Sequence, residues 1–201
     1  MPDPSSRFRS SSPAKAMPLL PQPVALLPHP TSARAAAFGI DVQLGWAGAA
    51  ALRLVFRLHS DLQSLALPAP TSPGFADGLW QHTCFEAFVA EAGSTAYREF
   101  NFSPSGQWAH YAFASYRQPE PLGRDHPQRL AVRRQADTLW LEAAVPRPAL
   151  PPGNAFDMGL STVLEHADGQ LSYWALAHPD SRPDFHRREA FVLQLSLPDG
   201  P

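Results

Sequence analysis

From Phe38 to Leu197 the chain carries short runs in which apolar and polar side chains alternate, the period of strands half-buried against a core. Phe38, Ile40, Val42, Leu44 and Trp46 form one run and Leu52, Leu54, Phe56 and Leu58 the next. The Ala47-Gly48-Ala49 connection between them predicts a hairpin. Further runs cover 80–90, 97–102 and 107–116, Leu130 to Val132, Leu139 to Val145, Phe156 to Leu164, Leu171 to Ala175 and Phe191 to Leu197. Asp137-Thr138 marks a bend and Asp168-Gly169 a tight hairpin turn. Prolines restrict Val24–Leu27 to an edge strand and break 146–153 and the loop 60–77, which leads into Trp80 as one lip of a cleft. No long stretch keeps a helical period; 33–38 and 182–190 hold a turn or two at most. The pattern predicts about ten short strands in a two-sheet antiparallel β-sandwich, of jelly-roll or immunoglobulin-like type.

The densest aromatic and polar chemistry falls at 78–117. Alternate side chains of a strand point to opposite faces, so Trp80, His82, Cys84, Glu86 and Phe88 make one row. Tyr97, Glu99 and Asn101 oppose Phe100 and Phe102 on the next strand, and Trp108 and His110 oppose Tyr111 and Phe113 on the third. Ser103-Pro104-Ser105-Gly106 reads as a four-residue hairpin connection, with proline at the second turn position and glycine at the last. Pairing Phe102 with Gln107 sends Tyr111 and Phe113 into the core beside Phe100 and Phe102. The other face then gathers Trp80, His82, Glu86, Glu99, Asn101, Trp108 and His110 as a ligand-binding surface. A slip of one residue exchanges these faces.

Composition narrows the field. A chain of 201 residues fits one domain, read as 19–199, behind a Ser-, Pro- and Arg-rich disordered tail at 1–18, with Met17 as an alternative start. A net charge of −2 offers no broad attraction to nucleic acid or to an acidic membrane. The lone Cys84 excludes an intrachain disulfide. It reads as a small apolar filler rather than a reactive thiol, although His82 is two residues away. No run approaches the roughly 18 apolar residues of a membrane span, and the N-terminus has no secretory h-region, so a cytoplasmic location is expected.

The run LWQHTCFEAF, then YREFNFSPSGQWAHYAFASYR, and later SYWALAHP and PDFH, resembles the bacterial DOMON-like domains, relatives of family-9 carbohydrate-binding modules. The likeness spans roughly residues 19–197 and is most specific at Trp80, at Cys84-Phe85-Glu86 and at the Asn101–Gly106 turn. It implies a β-sandwich with a ligand cleft on one face, holding sugar or haem. The chain departs from the carbohydrate-module pattern at His82-Thr83, where an acidic residue commonly precedes the strand glutamate.

Walker and dinucleotide glycine loops, GxSxG, HExxH and CxxC are all missing. The leading expectation is a non-catalytic domain whose Trp80 and Trp108 stack on a sugar while Glu86, Glu99, Asn101, His82 and His110 bond its hydroxyls. The alternatives come from other classes. A haem module would draw axial ligands from His82, His110, His178 and Met158. A glycosidase would pair Glu86 with Glu99. The cluster His178, Asp180, Asp184 and His186 has metal-ligand chemistry, but capping and hydrogen bonding explain it more simply, so no metal is expected.

Overall fold

The computed structural model describes residues 22–32, 35–123 and 128–198. The expected 1–18 tail and a start at Met17 lie outside them. Thirteen strands follow in order: β1 (Val24–Pro28), β2 (Gly39–Ala47), β3 (Ala51–His59), β4 (Gly74–Phe75), β5 (Cys84–Glu91), β6 (Tyr97–Phe102), β7 (Gln107–Ser115), β8 (Gln118–Glu120), β9 (Arg129–Gln135), β10 (Thr138–Pro146), β11 (Ala155–Glu165), β12 (Leu171–Ala175) and β13 (Leu193–Ser196). Among the described residues the only helical elements are three-residue 3-10 turns. None is long and apolar enough to cross a membrane.

Eleven strands form one ladder, β4-β7-β6-β5-β11-β12-β1-β2-β3-β10-β9, with β13 added to β11 and β8 to β7. The pairings are antiparallel except β4 with β7. The all-β expectation therefore holds, but the two expected sheets are one curled sheet, a half-barrel. β1 is the splice. Its Val24, Ala25 and Leu26 pair with β2, whereas Leu27 and Pro28 pair with β12. Instead of lying at an edge, the strand serves each half of the sheet with a different segment. Its proline sits at the last position, where a missing N–H costs the least pairing.

Curling brings the two halves face to face over one core. Val42, Leu44, Leu54 and Phe56 meet Phe85, Phe100, Phe102 and Leu160, all essentially buried. The Phe56 ring lies 5.2 Å from Phe85 and 6.4 Å from Phe102, and Trp46 lies 5.9 Å from Phe156.

The β6–β7 hairpin departs from the expected register. The Gly106 N–H bonds the Ser103 carbonyl at 3.0 Å, and the Ser103 N–H bonds the Gln107 carbonyl at 2.9 Å. The loop is thus three residues, Pro104 to Gly106, and Gly106 takes a φ of 93°. A type I turn followed by such a glycine is the three-residue hairpin with a bulge, not the four-residue one. Phe102 consequently pairs with Trp108 instead of Gln107. That single step exchanges the faces of β7. Trp108 and His110 turn inward beside Phe102 and Phe100, and Tyr111 and Phe113 turn outward.

The strand expected from Trp80 starts at Cys84. Trp80 lies in the 3-10 turn Leu79–Gln81, and His82 closes that turn. On the outer face of β5, β6 and β11, the segment from Leu176 to Phe191 lays down a second apolar layer. Phe88, Ala90, Tyr97, Ala190 and Phe191 form a buried cluster, with Phe113 and Phe185 against it. Gly159 admits this layer, since a Cβ there would come within 2.9 Å of the Phe191 ring. The layer covers only part of the sheet, and a cleft opens over the rest.

Candidate functional site

The cleft encloses about 700 Å³ between the outer face of the sheet, the 3-10 turn bearing Trp80 and the segment Pro183–His186. Its floor follows from strand alternation. Glu86 and Phe88 point outward from β5, Glu99 from β6, and Tyr111 and Phe113 from β7. Glu86 pairs with Asn101 and Phe88 with Glu99, so the two glutamates are diagonal neighbours on adjacent strands. Val163, Leu171 and Tyr173 extend the lining from β11 and β12, and Trp80, Arg117 and Phe185 stand on the walls.

Both glutamates are nearly sealed from solvent, Glu86 at 2 % and Glu99 at 5 % exposure. The Ser161 hydroxyl donates to Glu86 Oε2 at 2.8 Å. The Asn101 amide donates to Glu99 Oε1 at 2.9 Å. Burial, followed by the charge of Glu99, raises the Glu86 pKa far above the usual carboxylate range, against the Ser161 bond. Burial likewise raises Glu99, against the pull of Asn101 and Arg117. The cause is desolvation of two like charges in one site.

His186 completes the inner wall. Tyr97 Oη lies 2.8 Å from its Nδ1 and also accepts the Arg117 N–H at 3.2 Å. Where the tyrosine hydroxyl donates to Nδ1, the imidazole proton sits on Nε2, 3.7 Å from Glu99 Oε2. Burial and then the Arg117 charge push the His186 pKa down to about 4, so the ring is neutral at neutral pH. Arg117 itself is held 3.0 Å from Asp184. Burial alone would raise Asp184, but bonds from Tyr116, the His186 N–H and Arg117 keep it below the ordinary aspartate value. Across the cleft, Tyr111 donates to Asp77 at 2.5 Å, and burial with this bond raises the phenol.

Of the seven residues expected at the site, Trp80, Glu86 and Glu99 line the cleft. Asn101 lies fully buried against Glu99. His82 is elsewhere, exposed and 2.8 Å from Glu165. Trp108 and His110 are corrected to the core side by the hairpin register. The Trp108 ring packs edge-on against Phe75 at 5.6 Å, and His110 bonds the Gly123 carbonyl and Gln128. The expected lip 60–77 contributes its last residue, Asp77.

The reading from sequence missed Tyr111, Phe113, Arg117, Tyr173 and Phe185 as lining residues. The first two were lost to the register. The PDFH segment did carry a signal, but its Asp184 and His186 face the cleft rather than a metal. No group of three or more metal-ligating side chains exists among the described residues. Asp180 is paired with Arg187, and His178 bonds the Leu27 carbonyl. The haem candidates are likewise dispersed. Met158 is wholly buried in the main core and His110 faces the same side, whereas His82 is outside. Cys84 is buried, and burial followed by the Glu86 charge raises its thiol pKa, the reverse of what a reactive thiolate needs.

No protein-family model matches the chain, and no curated protein does. Solved structures do. A protein of Bacteroides uniformis ATCC 8492 proposed to bind carbohydrate superposes with a TM-score of 0.59 at 13 % identity, over 86 % of each chain. A family-9 carbohydrate-binding module from Caldicellulosiruptor kristjanssonii, solved with glucose, gives 0.58 at 10 % identity over 89 % of this chain and 85 % of the module. The same module with cellotriose gives 0.58 at 10 %, over 89 % and 84 %. At such identities the likeness is one of fold. The DOMON-like resemblance has no family model behind it.

Proposed function

We propose that the protein is a non-catalytic binding domain that takes a carbohydrate or sugar-like molecule in this cleft. The observation that carries the reading is the pairing of exposed aromatic walls with a buried polar floor. Trp80 is 51 % exposed at the rim, and Tyr173 and Phe185 sit 6.2 Å apart on the lining. Aromatic faces accept the apolar C–H side of a pyranose, while a few fixed polar groups select its hydroxyls. Here those groups are Glu86, Glu99 and Arg117. The likeness in fold to a module that holds glucose and cellotriose supports the same choice.

The carboxylates favour binding over hydrolysis. Glycoside cleavage needs one carboxylic acid and one carboxylate, set apart by their surroundings. Burial shifts Glu86 and Glu99 in the same direction, so their surroundings do not set one apart as the acid and the other as the nucleophile. The test is titration of the protein with glucose, cellotriose and related oligosaccharides, followed by tryptophan fluorescence and calorimetry. Trp80→Ala should weaken binding by about tenfold or more, since a stacked aromatic contributes roughly 0.5–1.5 kcal/mol on top of the apolar area it buries. Its thermal transition should stay within about a degree or two of the parent. Saturable binding untouched by Trp80→Ala would place the ligand elsewhere. Turnover of chromogenic glycosides that is lost in Glu86→Gln would replace the binding domain with an enzyme.

A further inference from the structure

We propose that the ligand carries a positive charge, an ammonium group seated over Glu86 and Glu99, so that the cleft selects an amino sugar over its neutral counterpart. This rests on the sugar-binding reading for the body of the ligand and adds the class of its head group.

The acids on the cleft floor lack a paired base. The ion pairs of the described residues give Glu86 no cationic partner, and Glu99 has the neutral His186, 3.7 Å away, and the charge of Arg117 beyond ion-pair distance. Arg117, the one arginine on the lining among the described residues, is held by Asp184 at 3.0 Å. Glu86 takes one hydrogen bond from Ser161 on Oε2 and Glu99 one from Asn101 on Oε1. An ionised carboxylate offers about four acceptor positions, so both groups keep unused capacity facing the cleft. Beside them the Asn101 Oδ1, fully buried, has no hydrogen-bond partner. The local set of acceptors thus exceeds its donors, and among the described residues the cation that acts on it, Arg117, is already held by Asp184.

Two buried carboxylates without a cation are costly when charged, so the unliganded pair holds its protons, and a bound ammonium favours the ionised form and releases them. A ligand ammonium brings three donors and one positive charge to this spot. The aromatic lining adds a second attraction, because a cation is drawn to the faces of Phe88, Phe113, Tyr173 and Phe185. A neutral hydroxyl in the same place brings fewer donors and no positive charge with which to favour the ionised carboxylates. An acetylated amine keeps the ring but loses the charge.

The experiment compares glucose, glucosamine, N-acetylglucosamine and tetramethylammonium on the wild-type protein near pH 6.5 by calorimetry. Glucosamine should bind at least about tenfold more tightly than glucose, and acetylation should remove that advantage, given the strength of desolvated charge-assisted bonds. Glu86→Gln should bring the glucosamine-to-glucose ratio close to one; the ratio, not either affinity, is the readout. Should that variant fold poorly, the wild-type arms decide alone. Glucose binding as tightly as glucosamine would overturn the ammonium while leaving the sugar reading intact. Tetramethylammonium binding with no response to any sugar would keep the cation and remove the sugar. Silence from all four probes would remove both.

Discussion

The two halves of the curled sheet use charged residues in opposite ways. On β2, β3 and β10 the outward side faces water, and burial alternates along most of each strand, strictly so up to the last residue of β3. Every acid there meets a base: Arg57 bonds Asp41 at 2.8 Å and Arg53 bonds Glu142 at 2.6 Å. On β5 all residues but the last are buried, on both faces, yet Glu86 sits in the middle of the run. A strand covered on both sides is ordinarily apolar throughout. A glutamate kept there without a base is a local conflict, and such conflicts concentrate at functional sites. The lesson is that one motif, an outward acid on an antiparallel strand, is paired with a base where water covers it and left without one where protein does.

The sharpest way to break this comparison is Trp108→Ala. Trp108 is 5 % exposed within the main core, so its removal should cost about 3–5 kcal/mol in chemical denaturation. Trp80→Ala, at the cleft rim, should cost under about 0.5 kcal/mol. A Trp108 variant that stays stable but loses ligand would return β7 to the other register and undo the site.

The next effect is a pH dependence. Around Glu86 the facing titratable and charged groups are Cys84 on its own strand, Glu99 from β6, Tyr111 from β7, Asp77, and Arg117, Asp184 and His186. Glu86 and Glu99 have folded pKa values above their unfolded ones. Their contribution is complete below the ordinary carboxylate pKa and is lost as pH rises through the raised values. His186 is depressed to about 4, so its contribution is complete above the ordinary histidine pKa and is lost as pH falls. The terms oppose each other in mildly acidic solution and leave a net decline above it. The unliganded protein should therefore lose on the order of 2 kcal/mol between about pH 6.5 and pH 9, read by denaturation at each pH. Glu86→Gln should flatten that slope. A flat wild-type profile would mean that the glutamates are hydrated, and the cleft floor no different from the outer face of β3.

Most of the strands were legible because their physics is local. The β2–β3 hairpin is a clean alternation closed by a short glycine-bearing turn, and it formed where expected. The β5 start was not legible, since Trp80 to Thr83 continues an alternating row while the chain is still in a 3-10 turn. The faces of β7 hinged on whether Pro104-Ser105-Gly106 closes a loop of three or four residues. Turn composition suits both, and the choice decides whether Trp108 or Tyr111 sees the cleft. The splice at β1 was hidden for another reason: proline content speaks for an edge, but says nothing of a strand that changes partners midway. The lining from His186 depends on its contact with Tyr97, 89 residues away in sequence, where no local pattern reaches. Glu86 and Glu99 survived these errors because β5 and β6 kept their predicted phase.

The smallest effect tests the ordinary half. Arg57 is 42 % exposed as a side chain and Asp41 23 %, and the two are directly opposed on β2 and β3. An ion pair so placed gains little, because water already solvates both charges and salt screens them. Arg57→Ala should cost no more than about 1 kcal/mol, less in high salt, and leave ligand affinity unchanged. A double-mutant cycle with Asp41→Ala isolates the pair itself. A coupling above about 2 kcal/mol would show that this face, too, is shielded from water. The distinction drawn between an acid with a base in solvent and an acid alone under protein would then lose its physical basis, since both would sit in the same dielectric.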